Sequence, residues 1–470
     1  MALIAAQTLG GTGFAQGSDQ TLLYDANGLS LRWHLQAGLY AAAEGNAFWD
    51  LAAITAPGSG YDSDKSWREA YIKPGLSFDY MLDGGATLYG KLSGVASYTF
   101  GADPYDEGDN GEITLEEAYL GLRGGDSGGL SYDLSVGPRE LRLGTGMIIT
   151  TGASSGFERG ALKFGPRKAW EKNAYARLSQ NGLTGTAFYL DPNELPSSDG
   201  KNELAGFDLR YDSPRGAYFG GTYVKVLNSE TPYPQAAPGG VGAPIVTPGA
   251  REGTETISLY AKTNPFDGAF QNWTFTGDVA FQWNDKIDLQ SNAGRVQAIY
   301  AMPDLPWSPT ITYGFQTFSG DDPDTSRLER FDPLYYEGSP TAWATGTKSA
   351  STFINSNVNA HSLALSLQPS QRDTLTFRYT HIRANELRSP VQFGQATRVD
   401  TTGSQANVVT GVTDPHLSDD FFLEYKRIIN RNTFLTGLIA VSVPGNGITN
   451  VTGGIAPNWT GAALNVVVNF

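Results

Sequence analysis

The 470-residue chain has no cysteine, only four histidines and only 17% charged residues. Without cysteine there is no disulfide frame, no thiolate nucleophile and no thiolate-held metal. Such a chain can cross an oxidising compartment without mispaired thiols. It also lacks any run of eighteen or more apolar residues, so no helix spans a membrane. Positive charge is in deficit, and the net charge of -15 argues against nucleic-acid binding. The histidines, His34, His361, His381 and His416, stand in no recognisable nucleophile motif, and no phosphate-binding loop occurs. Catalysis needs a nucleophile, a base and an orienting group together, so these absences point away from an enzyme and from any cofactor.

What the chain has in quantity is glycine, 57 residues, and aromatics, 12%. Both fall into long alternating stretches. From Trp273 to Trp283, Trp273, Phe275, Gly277, Val279, Phe281 and Trp283 share one face, and Thr274, Thr276, Asp278, Ala280 and Gln282 share the other. Leu29 to Tyr40, Ala70 to Tyr80 and Leu88 to Phe100 repeat the scheme. The final residues, Ala463 to Phe470, alternate as well and end on an aromatic. A soluble sandwich would hide such a face in its core, but sandwich strands average about 5–6 residues and these run near twice that. Strands of roughly ten residues, apolar on one side and wet on the other, suit a barrel wall facing lipid. A mean hydropathy of -0.28 does not oppose this, because only alternate residues meet lipid.

The connections alternate in length. Leu82–Gly85, Gly124–Gly129, Thr263–Asn272, Met302–Ser308, Gln368–Asp373 and Ile429–Asn432 are short. Ala42–Ser66, Gly101–Glu112, Asn228–Gly253, Ser319–Ser356, Ala384–Leu417 and Pro444–Asn458 are long. Short periplasmic turns and long extracellular loops are the pattern of outer-membrane barrels. A plain count gives about 19 strands, which would put the termini on opposite sides. Parity breaks between Gly137 and Lys172. Placing Ala161–Phe164 in a long extracellular or in-folded segment restores it. The expected fold is therefore all-β, a transmembrane antiparallel barrel of 18 strands, with 16 as the alternative. Residues 1–16 read as a signal-peptide remnant or flexible tail, and residues 17–470 as one barrel domain in the bacterial outer membrane.

From Phe331 onward the sequence resembles the alginate-export family of outer-membrane barrels. The resemblance rests on Phe331-Asp332-Pro333-Leu334-Tyr335 in a long loop and on Asn355-Ser356-Asn357-Val358-Asn359-Ala360-His361 leading into a strand. It continues in the strand Thr374 to Ile382, in Ser418-Asp419-Asp420, and in Pro444-Gly445 after the Asn430-Arg431-Asn432 turn. Gly137-Pro138-Arg139-Glu140-Leu141-Arg142-Leu143-Gly144 resembles the family's Gly-Arg-Gln segment, departing from it where Pro138 replaces the Arg and Arg139 the Gln. The resemblance implies an 18-stranded channel with a charged, constricted lumen that exports an anionic polysaccharide with periplasmic partners.

By strand parity the inward basic residues are Arg32, Lys73, Lys91, Arg123, Arg210, Lys225, Lys262, Arg295 and Arg378. The inward acids are Glu69, Asp79, Glu117, Asp208 and Asp278. Arg142 joins the pore-lining candidates, although alternation slips near Pro138 and leaves Arg139 and Arg142 open to either face. A charge facing lipid would cost roughly 2–4 kcal/mol at the midplane, which favours inward placement. A basic lumen would attract anions, and an anion-selective channel is expected. Pairing across the wall is the plainer account of the same residues. Uptake of small anionic solutes, such as organic or aromatic acids, is the alternative function, and a plugged structural barrel a third. Lipid and lipopolysaccharide are the expected surroundings. The acidic loop holding Asp103, Asp106 and Asp109 is a calcium candidate, although its spacing is not that of an EF-hand.

Overall fold

A strand that alternates apolar and polar residues must bury one face, and here the buried face is the polar one. Arg295, Asp278 and Asp208 are hidden, while Leu39 is 67% and Ile113 84% exposed. Only a wall with lipid outside and a filled lumen inside makes that arrangement stable. The computed structural model describes residues 21–470 except 56, 127, 264–265, 337–352, 354, 392–396, 401–406 and 451–452.

The chain rises and falls through the wall. In order come β1 (Leu22–Ala26), β2 (Leu29–Gly45), β3 (Lys65–Met81), β4 (Thr87–Ala102), β5 (Gly108–Gly125), β6 (Ser131–Val136), β7 (Lys172–Gln180), β8 (Leu183–Asp191), β9 (Glu203–Asp212) and β10 (Tyr218–Asn228). A loop hairpin, β11 (Tyr233–Gln235) and β12 (Ile245–Thr247), lies outside the wall. The wall resumes with β13 (Glu255–Lys262), β14 (Trp273–Asn284), β15 (Leu289–Ala301), β16 (Thr310–Phe318), β17 (Val358–Ser370) and β18 (Asp373–Ala384). A second loop hairpin, β19 (Thr397–Asp400) and β20 (Asn407–Thr410), precedes β21 (His416–Asn430), β22 (Thr433–Pro444) and β23 (Trp459–Asn469).

All neighbours are antiparallel, and β23 pairs with β2 from Gln36↔Asn469 to Gly45↔Thr460, closing the barrel at 18 strands. The short β1 is not a further position in the wall. It pairs with the lower part of β2, Leu22↔Arg32 to Ala26↔Leu29, on the edge that β23 leaves free. Phe470 closes the joint, exchanging backbone hydrogen bonds with Leu35 and stacking on Trp33 at 5.5 Å. Several strands outrun the sequence reading. β2 extends to Gly45, β4 to Ala102, and β5 begins at Gly108, so the connection read as Gly101–Glu112 shrinks to a tight turn.

The inward face changes character along the barrel axis. Toward the periplasmic turns it carries charges and tyrosines. Toward the extracellular end it carries Leu190, Leu204, Val224, Val226, Phe318, Val358 and Ile382, all buried. These wall residues cover one apolar cluster with Trp49, Leu141, Met147, Ile149, Trp170 and Phe331, which come from the loops. Each such side chain contributes about 1.5–3 kcal/mol on burial. The loops are therefore held inside the mouth by a hydrophobic core of their own.

Candidate functional site

The segment between β6 and β7, residues 137–171, makes no wall strand and folds into the lumen, and Ala161–Phe164 lies within it. Gly137 starts the inward turn with φ +114°, where a Cβ would strike the Ala118 carbonyl. Pro138 then accepts a backbone hydrogen bond from Ala118, and Arg139 bridges Trp170, so the two ends of the segment run side by side. The Trp170 indole N–H donates to the Leu141 carbonyl at 3.1 Å.

Arg139 lies in a cage of tyrosines. Its guanidinium sits 4.2 Å from the Tyr119 ring centre, 5.0 Å from Tyr175 and 5.4 Å from Tyr89. It donates to the Tyr89 hydroxyl at 2.8 Å, and Tyr89 and Tyr175 both donate to Asp133. Such stacking suits the flat, weakly hydrated guanidinium and holds it in place with no direct carboxylate partner among the described residues.

Above the cage, Lys73 bridges two acids, with Nζ 3.0 Å from Glu116 and 2.7 Å from Glu140. Glu116 faces inward because of a bulge. Ser93 pairs with Glu117 and Gly94 with Leu115, which leaves Glu116 unmatched. Two successive glutamates thus enter the lumen, both buried, while Leu115 stays outside. Glu116 also accepts the backbone N–H groups of Lys168 and Ala169. Burial pushes the Glu140 carboxyl up, but Lys73 outweighs it and holds Glu140 below the usual carboxylate range.

Further anchors fix the rest of the segment. Glu69 accepts the backbone N–H groups of Lys163 and Phe164. The Phe164 ring packs where a Cβ on Gly38 would fall, edge-on to Tyr71 at 4.8 Å. Arg167 donates to Ser97, Thr114 and the Glu112 carbonyl. On the opposite wall Thr145 bonds Asp278 and receives Arg295 Nη2 at 3.1 Å, and Gly144 lies against the Tyr260 ring. The segment therefore reaches from β2–β5 across to β13–β15.

Most sequence candidates line this lumen, and most are paired. Arg32 and Arg123 both meet Asp79, at 3.8 and 2.6 Å. Lys91 meets Glu117 at 2.5 Å, Arg210 meets Asp212 at 2.7 Å, and Arg295 meets Asp278 at 3.0 Å. Arg378 shares the inward face with Phe422 and lies in the field of Glu424. Lys262 ends β13 on the inward face. Arg142 belongs to the in-folded segment and donates to the Thr145 carbonyl. Lys225 is a correction. It lies between inward Val224 and Val226, so it faces outward at the extracellular end, paired with Glu255 at 3.0 Å. The three acids of the calcium candidate do not converge. Asp103 caps the turn at Tyr105 and Glu107, Asp106 pairs with Lys65, and Asp109 accepts from Gly101.

Parity missed Glu116, Asp133, Glu140 and Arg177. The first needs a bulge that alternation cannot reveal, and Glu140 lies in irregular chain. Asp133 and Arg177 were legible, since both alternate with outward apolar residues. The sequence also holds two Gly-x-Ser-x-Gly stretches, Gly125–Gly129 and Gly152–Gly156. The first falls between the antiparallel strands β5 and β6, its Ser127 outside the described residues, and the second lies in the in-folded segment, so neither sits between a strand and a helix as the nucleophile elbow does. Among the described residues no histidine serves them. His34 bonds Ser77, and the other three lie on the outer wall.

A closed barrel with an apolar belt outside and a charged lumen crossed by its own chain is an outer-membrane channel of the porin class. More particularly, residues 249–415 match the family model described as alginate export, and over that stretch the chain is similar to that family. Among solved structures it is similar to OccK5 (OpdH) of Pseudomonas aeruginosa, with 10% identity, 94% of this chain and 98% of that one covered, and a TM-score of 0.53. A BenF-like porin from Pseudomonas fluorescens Pf-5 gives 9% identity, 94% and 98% coverage, and a TM-score of 0.52. OccK2 (OpdF) of Pseudomonas aeruginosa, solved with glucuronate, gives 11%, 94%, 96% and 0.50. At these identities the likeness is one of fold. No curated protein matches the sequence.

Proposed function

We propose that the protein is a passive channel for small carboxylate-bearing solutes, taken up one molecule at a time. The observation that carries this reading is the crossing of the lumen by residues 137–171, anchored on both walls. A path narrowed by packed chain suits a small solute better than a polymer. Two cations that outreach their acids, Lys91 and Arg123, support an anion as the solute, while Glu140 and Asp212 outreach Lys73 and Arg210. The Lys91 side chain is 25% exposed against 6% for Glu117, and Arg123 is 51% exposed against 37% for Asp79. At Lys91 and Arg123 a passing solute meets the cation first, and lumen cations set selectivity at short range.

Export of an anionic polysaccharide is the second reading, and the match over residues 249–415 favours it. It would require periplasmic partners that supply the polymer, and lipopolysaccharide around the barrel is compatible with either reading. Liposomes loaded with the protein separate the two. Glucuronate should enter faster than glucose, and a uronate polymer should neither enter nor block at the same monomer concentration. Block by the polymer with no preference for free glucuronate would replace uptake by export.

A further inference from the structure

Three of the four histidines gather on the outer wall, away from the lumen. In the strand register His361 stands opposite His381, and His381 opposite Asp419. His416 joins from three residues before Asp419. All belong to the outward set, beside exposed Tyr379 and Phe421, and three residues or fewer below the extracellular ends of β17, β18 and β21. At that height the wall meets the headgroup layer, where polar and aromatic groups mix.

Asp419 is the focus. His381 Nδ1 is 2.8 Å from one carboxylate oxygen, and His416 Nε2 is 3.0 Å from the other. Tyr379 donates to Asp419 Oδ1 at 2.7 Å. The two imidazole rings lie 4.8 Å apart, and one ligand atom from each of the three residues falls within 4.8 Å of the others. Each side chain is about a quarter to a third exposed, so an ion can reach them from outside. A hydrogen-bonded network alone would account for the Asp–His contacts. What points further is that three donor atoms of a metal-binding kind already lie close enough together for one ion to reach them all.

We propose that His381, His416 and Asp419 bind one divalent transition-metal ion, zinc being the best fit, on the outer face near the extracellular rim. Two imidazole nitrogens and one carboxylate oxygen are the donor set of zinc, nickel, cobalt or copper. Calcium and magnesium require oxygen throughout. Zinc–nitrogen bonds are about 2.0–2.1 Å, so modest rotation of the rings brings the three donors around one ion and leaves a position for water. Each ring coordinates through the nitrogen now facing Asp419 and carries its proton on the other one, so a neutral histidine loses no proton. Tyr379 stays on the carboxylate and orients it. Arg383 is exposed, stands opposite His416 in register and makes no ion pair among the described residues. The ion would fasten β18 to β21, the strands flanking the loop that contains β19 and β20.

The test uses the full chain, without an affinity tag, folded in detergent. Cobalt titration followed by its visible absorption, with zinc as competitor, should give one site per chain. His381→Gln and His416→Gln should each weaken zinc binding about tenfold or more, and Tyr379→Phe less. His34→Gln, in the lumen, should leave binding unchanged. Resistance to unfolding should rise with zinc in the parent and not in the double variant His381→Gln/His416→Gln. No binding up to millimolar zinc, or binding indifferent to both histidines, would overturn the proposal.

Discussion

Lys73 neutralises two acids at once, and their settings differ. The Glu116 side chain has no exposure, whereas that of Glu140 is 44% exposed. Lys73→Ala should therefore cost about 3 kcal/mol, the low end for breaking a buried pair, because two backbone N–H groups still support Glu116. Urea unfolding in detergent measures this, and adding Glu116→Gln should restore part of the loss. Asp321 gives a pH signature in the loops. It accepts backbone N–H groups from Ala236 and Glu329, and burial pushes its carboxyl up from 3.8 to about 6. A raised folded value means that the docked loops bind the proton more tightly than the undocked ones. Their docking should be strongest below about pH 4, weaken as pH rises to 6 by on the order of 1–3 kcal/mol, and level off above. Hydrogen exchange at Ala236 and Glu329, corrected for intrinsic rates, should show the trend, and Asp321→Asn should flatten it. Glu140 works in the opposite sense. Its lowered value adds hold on the in-folded segment above the ordinary 4.5, and that hold is lost as pH falls below it.

At the level of elements, residues 137–171 behave as a lumen insert held at a few points. Trp170 is fully buried against that segment and the wall, so Trp170→Ala should cost about 3–5 kcal/mol. Because that loss falls on the insert, it should appear as larger and noisier single-channel current with the barrel still folded. Gly38→Leu should displace the Phe164 ring and give a milder form of the same change. The strands themselves were legible from alternation. Alternation marks Trp273 to Trp283 as a strand, and β14 runs Trp273–Asn284. The insert was legible only as a break in parity, because irregular chain follows its anchors and not a period. Glu116 escaped for a similar reason, since a bulge slips the register without changing composition.

For the whole molecule, closure follows from β23 meeting β2, and the outward apolar positions meet lipid all round. Alternation agrees with the inward placement of the charges named from it, Lys225 excepted, and misses Glu116 at its bulge. It could not say that Arg32 and Arg123 would share Asp79, or that extracellular-end wall residues such as Leu204 and Val226 would face a core made of loops. Pairing depends on which strands become neighbours at which height, and no single strand carries that information. Net selectivity then depends on the more exposed partner of each pair and on Arg139, which is stacked among tyrosines and bonds the Tyr89 hydroxyl.

The most direct measurement is the reversal potential of the protein in a planar bilayer under a potassium chloride gradient, before and after adding glucuronate. The expected result is a potential of anion-selective sign with current reduced by millimolar glucuronate, and a shift toward cation selectivity in Lys91→Glu/Arg123→Glu. A cation-selective or unselective pore, indifferent to glucuronate and to both charge reversals, would contradict a lumen built to pass small organic anions.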